Sequence, residues 1–175
     1  PASKEKPFLI ALSKPVASSM TCGTSTGYEN NWAQMNTDES TKTSRSAEDL
    51  SASLKKRGHV VTSWDELPLV TMDETGIETS SYRIGLPDND DAPTVFKVNF
   101  PPNCRVEAHT HSCDYSEIIL KGSQKVSGKW LHEGDIRVGL ANKGYGPLIA
   151  GPEGASVLVI FSDGNWPAIG IGAGD

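Results

Sequence analysis

The chain is short of positive charge. Among its 175 residues Lys plus Arg number 16 and Asp plus Glu 22, a formal net charge of -6. It therefore has no electrostatic footprint for nucleic acid or for an anionic membrane surface. Long apolar runs are also missing. FLIAL (8–12) and VLVIF (157–161) are five residues each, against the roughly 20 that cross a bilayer. FLIAL is likewise too short for the apolar stretch of a signal peptide, so no secretory leader is expected from it. Cysteine is scarce and odd in number: Cys22, Cys104 and Cys113. That argues against a disulfide scaffold and points to a reducing, cytoplasmic compartment.

The length suits one domain with an extension. Residues 1–58 read as that extension. Their stretch SSMTCGTSTGYENNWAQMNTDESTKTSRS shows neither helical nor strand period. Phe8, Leu9, Ile10, Trp32 and Met35 within residues 1–45 predict packing on the domain or on a partner subunit. A helix is predicted over 46–57. Ser46 and Asp49 resemble a capping box, Leu50 and Leu54 lie one turn apart, and Gly58 ends it. Its Lys55-Lys56-Arg57 is a solvated last turn rather than a binding patch.

From residue 59 the signals are β. Strands are predicted at 59–63, 68–72, 77–85, 94–100, 104–110, 115–121, 123–126, 135–140, 146–150 and 155–162. Turn residues separate them, including Gly122, Glu133-Gly134-Asp135 and Gly151-Pro152-Glu153-Gly154. In VFKVNF, Val95, Lys97 and Asn99 alternate with Phe96, Val98 and Phe100, the period of a half-buried strand. Many short, evenly spaced strands mean a sandwich or a barrel, and the lack of an internal repeat favours one barrel over two. A barrel over 59–166 leaves 167–175, with GIGAGD, as a flexible Gly-rich tail.

The stretch EAHTHSCDYSEIILKG (107–122) carries the chemistry. It places His109 and His111 one residue apart, Glu117 six residues later, and Gly122 at its end. With Gly134-Asp135-Ile136-Arg137-Val138 and the phrase GPLIAGPEGASVLVIF (146–161), it resembles the cupin family of small β-barrels over about 70 residues, 94–162. Asn103 takes the place of the first motif's opening glycine, and Tyr115 falls where that motif has its glutamate. Gly134 fits the start of the second motif. There Leu140 and Asn142 stand for a proline and a glycine, and Tyr145 for the third histidine. The resemblance implies an all-β fold of the double-stranded β-helix type, a small-molecule substrate or ligand inside the barrel, and pairing as a homodimer.

The resemblance also implies a metal held by three His and one Glu, and here two of those four positions are Tyr. Strand period puts Glu117 on the same face as Tyr115, one pleat or about 7 Å deeper. His109, His111 and Glu117, or Asp114 swung in from its turn, would then be two His and one carboxylate suited to Fe, Mn or Zn. Tyr115 and Tyr145 would be hydrogen-bond donors behind them or phenolate ligands. The bland alternative is a closed polar network that binds nothing.

Two enzyme readings follow. One is a metal-dependent oxygenase, lyase or isomerase using His109 and His111. The other is a metal-free dehydratase, isomerase or cyclase in which His111 or His109 works with Glu117, Tyr115 and Tyr145 as acid and base. A non-catalytic ligand-binding or sensor cupin is the third reading. Elsewhere, Cys113 and Cys104 are read as packing residues, His59 and His132 as surface residues, Trp130 as a hairpin cap and Trp166 as a cover of the barrel mouth or a dimer contact.

Overall fold

The computed structural model describes residues 44–171. The expected packing of Phe8, Leu9, Ile10, Trp32 and Met35, together with Cys22, lies outside them. The helix forms as its caps dictate. α1 spans Ala47–Arg57. The Ser46 hydroxyl accepts from the Asp49 backbone N–H at 3.2 Å, and the Asp49 carboxylate accepts from the Ser46 N–H at 3.3 Å. Gly58, at φ 75°, ends it and donates to the Leu54 carbonyl. Among the described residues no helix is long and apolar enough to cross a membrane.

The segment 59–63 forms no strand. Val61 is 83 % exposed, and among the described residues no strand pairs with it; the chain runs instead into the short 3-10 turn Trp64–Glu66. The strands are β1 (Val70–Thr71), β2 (Glu78–Arg83), β3 (Thr94–Phe100), β4 (Arg105–Val106), β5 (His109–Thr110), β6 (Tyr115–Val126), β7 (Lys129–His132), β8 (Ile136–Gly139), β9 (Leu148–Phe161) and β10 (Ile169–Gly170). β7 falls where no strand was predicted, and Trp130 lies exposed within it. β10 sits where a flexible tail was expected and pairs with β5, Ile169 opposite Thr110 and Gly170 opposite His109.

Two long strands organise the rest. β6 and β9 run antiparallel along most of their length. On its other edge β6 pairs with β8 through Tyr115–Ile118 and with β7 through Ser123–Val126. On its other edge β9 pairs with β4 near its start and with β3 along Ala155–Phe161, and β3 carries β2 and β1 beyond it. The two breaks predicted inside these strands, at 122 and at 151–154, are irregularities in continuous strands. The β6–β9 register shifts between Ile119 and Lys121 and again between Gly122 and Gln124. Such bulges bend a strand and raise its twist, so one ribbon supplies both layers. The hydrogen bonds close no barrel among the described strands. They build an eight-stranded sheet and a two-stranded one, a sandwich-like arrangement around one core. That core gathers Phe96, Val98, Val106, Ile119, Val157 and Phe161, with Trp166 packed on its side.

Gly122 is where the bend demands glycine. Its φ is +75°, and an added Cβ would stand 2.2 Å from the Gly154 carbonyl oxygen. Gly128 has a similar φ of +87° but nothing within 4 Å. Gly122→Ala should lower stability by about 3 kcal/mol or more, and Gly128→Ala by about 1 kcal/mol. Urea unfolding of both variants checks this; equal losses would mean that the close approach of the two strands is not what Gly122 serves.

Candidate active site

Five strands, β3, β4, β5, β6 and β9, and the segments that carry His111 and Tyr145 converge on one interior cavity of about 40 Å³, lined by His109, His111, Glu117 and Tyr145 among Phe96, Val98, Val159 and Phe161. The backbone fixes the first three rings to one another. His109 and Tyr145 exchange N–H···O bonds of 3.0 Å in both directions, and the Asn142 N–H donates to the His111 carbonyl at 2.7 Å. The loop before Tyr145 and the turn before β4 each use an asparagine in the left-handed region, Asn142 at φ 60° and Asn103 at φ 58°. Asparagine is one of the few side chains that enter that region at small cost.

The imidazoles are oriented by carbonyls. His109 Nδ1 lies 2.8 Å from the Glu107 carbonyl oxygen, and His111 Nδ1 meets that of Trp166. A carbonyl only accepts, so both Nδ1 atoms carry the proton and both Nε2 atoms present a lone pair. His111 Nε2 accepts from the Tyr145 hydroxyl at 3.0 Å. His109 Nε2 makes no hydrogen bond among the described residues. The Tyr145 ring centre lies 4.5 Å from that of His109. Trp166 thus packs on Phe96, ring centres 4.7 Å apart, and holds His111 through its backbone.

Beneath this cluster sits a residue that the sequence patterns did not single out. Arg137 on β8 is the cross-strand partner of Glu117 on β6. Its Nε donates to Glu117 Oε2 at 2.8 Å, and its Nη2 lies 2.7 Å from Oε1. Its Nη1 donates to the Tyr115 hydroxyl at 2.9 Å. Its Cζ stands 4.0 Å from the centre of the Tyr145 ring, cation–π range. The usual alternation is inverted here: Ile136 and Val138 are 65 % and 72 % exposed, and the arginine between them points inward. The signal that would have found it is register. Once Glu117 faces inward, the residue opposite it in an antiparallel pair faces inward too.

Burial sets the protonation states. It pulls the His111 pKa down to about 4, with the Trp166 carbonyl opposing and the charge of Arg137 assisting. His109 is lowered for the same first reason. Both are neutral bases near pH 7. Burial raises Tyr115 above its ordinary phenol value and Tyr145 well above it, so both are protonated near pH 7. Burial lifts the Glu117 carboxyl against the pull of Arg137. It pushes Cys113 up to about 11, which leaves a packed, inert thiol.

The expected ligand set is therefore only half assembled for a metal. His109 and His111 are side by side, ring centres 5.2 Å apart. Glu117, expected as the third ligand, has both oxygens on Arg137. Asp114, the other candidate, is exposed, and its Oδ1 accepts from the Ala141 N–H at 2.7 Å instead of turning inward. Among the described residues no three His, Cys, Asp or Glu side chains gather around a point that would hold a metal ion. With Tyr145 on His111 Nε2 and a guanidinium on the carboxylate, the donors as arranged do not fit a divalent cation. His59 and His132 lie on the surface, and Cys104 is half-buried.

The depressed His111 pKa makes a stability prediction. The unfolded chain takes up this proton near pH 6.5 and the folded chain only near 4. The contribution is complete above about pH 6.5 and is lost as pH falls from there toward 4. Lowering the pH from about 7 to about 4.5 should cost wild type on the order of 2 kcal/mol more than His111→Asn. The comparison of variants removes the opposite trend expected of Glu117, whose pKa is raised. Denaturant unfolding at the two pH values measures it; parallel losses would mean that His111 is not held neutral.

No family model and no curated protein matches the chain. Solved structures do. A Bacillus subtilis oxalate decarboxylase at pH 4.6 is similar over 65 % of this chain and 33 % of its own, at 17 % identity and a TM-score of 0.51. A mutant of that enzyme lacking residues 162–163 gives 19 % identity, the same coverages and a TM-score of 0.51. A third structure, of the same enzyme and concerned with its Mn(II) centres, gives 18 % identity, 65 % and 34 % coverage and a TM-score of 0.50. This chain thus spans about a third of each decarboxylase chain. At such identities the likeness speaks to architecture alone, and with the mostly β topology and the His-Thr-His and Gly-Asp-Ile-Arg-Val motifs it shows that the chain has the cupin fold.

Proposed function

We propose that the interior cavity is an acid–base active site that moves a proton on a small organic carbonyl compound without a metal, as a dehydratase, isomerase or cyclase would. The observation that supports this most is the pairing of a protonated Tyr145 hydroxyl with neutral, carbonyl-anchored imidazoles. His109 Nε2, with no hydrogen-bond partner among the described residues, takes the proton from the carbon next to the carbonyl. The Tyr145 O–H, released from His111, hydrogen-bonds the carbonyl oxygen as negative charge gathers there. The His109 imidazolium then returns its proton, either to another carbon, which isomerises the compound, or to a departing β-hydroxyl, which leaves as water. No oxidant or reductant is consumed. Arg137 holds the rings of Tyr115 and Tyr145 and neutralises Glu117, which makes Glu117 a poor base. A cavity of about 40 Å³ has room for only a few water-sized groups. The substrate, or its reactive end, is correspondingly small.

A second reading is a metal-dependent lyase. It is favoured by the two Nδ1–carbonyl anchors, the arrangement that ligating histidines use, and by the Mn(II) centres named for a similar structure. It requires Tyr145 to leave His111 and Glu117 to leave Arg137.

Solvent deuterium exchange separates these readings. Small aldehydes, ketones and β-hydroxy-carbonyl compounds are incubated with EDTA-treated protein in deuterium oxide and followed by proton NMR. Exchange beside the carbonyl of at least one compound is expected. It should fall by about a hundredfold or more in His109→Ala and Tyr145→Phe. Exchange that appears only after Mn(II), Fe(II) or Zn(II) is added would favour the metal reading. None under any condition would leave a binding module.

A further inference from the structure

Arg137 supplies the positive charge that the buried Glu117 carboxylate meets. Glu117 is 5 % exposed, and the only cation it meets among the described residues is the fork of Arg137. The imidazoles above are already turned with Nε2 inward. The two rings on the guanidinium, Tyr115 and Tyr145, keep it in place from the remaining sides. A guanidinium does not lose its proton in proteins, so this positive charge is permanent. A divalent ion placed on His109 and His111 would share with it the buried surroundings of Tyr145, which both His111 and Arg137 contact, and in a low-dielectric interior like charges repel strongly. Removing the arginine would reverse the situation. A buried carboxylate would be left without a counter-charge, which is strongly unfavourable. His109 and His111 line the same cavity, and the freed carboxylate turned toward their Nε2 atoms would complete two His and one carboxylate.

We propose that Arg137 is the residue that excludes divalent metal from this site, its side chain serving as a built-in cation in place of an exchangeable one. This rests on the metal-free reading above, but its test needs no substrate. If the deuterium experiment fails while the metal experiment succeeds, only the proposed reaction is lost.

The test compares the full chain with Arg137→Gln and Arg137→Lys. Each protein is stripped with EDTA, desalted, titrated with Co(II), Mn(II) and Zn(II), and desalted again. Metal per chain is read by elemental mass spectrometry, and Co(II) ligation by its visible absorption. Wild type and Arg137→Lys, which keeps the charge, should retain no metal. Arg137→Gln should retain about one per chain and bind Co(II) at least about a hundredfold more tightly than wild type. That metal should be lost when His109→Ala and His111→Ala are added. Should Arg137→Gln fail to fold alone, it should fold when diluted from denaturant into Zn(II), since metal binding is then coupled to folding. Wild type taking up one metal per chain would overturn the proposal. So would Arg137→Gln that takes up none, whether folded or refolded with Zn(II).

Discussion

The buried pair between Arg137 and Glu117 is the constraint on which the site's chemistry depends. A carboxylate this enclosed needs a compensating charge. The choice of that charge decides what the neighbouring histidines are for. With a guanidinium in place the cavity carries no net charge from the pair, while burial, helped by the arginine's charge, keeps the imidazoles neutral. The same fork reaches Tyr115 and stacks on Tyr145. One side chain thereby touches three others, Glu117, Tyr115 and Tyr145. Breaking such a pair from either end leaves one buried charge unmatched, so the two residues are coupled in any substitution.

The pair in turn depends on register. Glu117 lies on the half of β6 that is flanked by β8 and by the end of β9, ahead of the register shifts at Gly122, and Arg137 is its cross-strand partner on β8. The C-terminal segment closes the site from the other direction. Trp166 supplies the carbonyl for His111, and β10 pairs with the two-residue strand that carries His109. A histidine on so short a strand has few backbone bonds of its own. Its orientation comes from Glu107, from Tyr145 and from β10 together.

Much of this was legible in the sequence, and the parts that were not have identifiable causes. The helix was legible because its caps are local: Ser46, Asp49 and Gly58 act within one turn. The strand that holds Val95 to Phe100 was legible because alternation is local as well. The gathering of His109, His111, Tyr115, Glu117 and Tyr145 followed from the strand period and the cupin resemblance, and the structure does bring these side chains together. What failed were inferences that treat glycine as an ending. Gly122 and Gly154 read as turns, yet each lets two backbones approach more closely than a side chain allows. Residues 59–63 have strand composition but pair with no strand among the described residues, and composition does not reveal a neighbour. Arg137 escaped because Ile136 and Val138 invite the opposite facing. Only the pairing register, a long-range property, assigns it inward.

The replacements within the two motifs sort by what each residue does. Where the family pattern has glycine, this chain has Asn103 and Asn142, and both adopt positive φ. The backbone geometry that glycine would supply is retained by the side chain best able to tolerate it. Where the pattern has ligands, it has Tyr115 and Tyr145, which keep hydrogen bonding but give up ready ionisation. The positions that shape the chain are thus conservative in effect, and those that face the cavity are not. A fold can persist while the groups that face its cavity vary. This also accounts for an architecture shared with manganese-containing decarboxylases at 17 to 19 % identity. With Arg137 on Glu117, two neutral imidazoles stand beside a protonated tyrosine, and this arrangement is what supports the acid–base proposal over ligation.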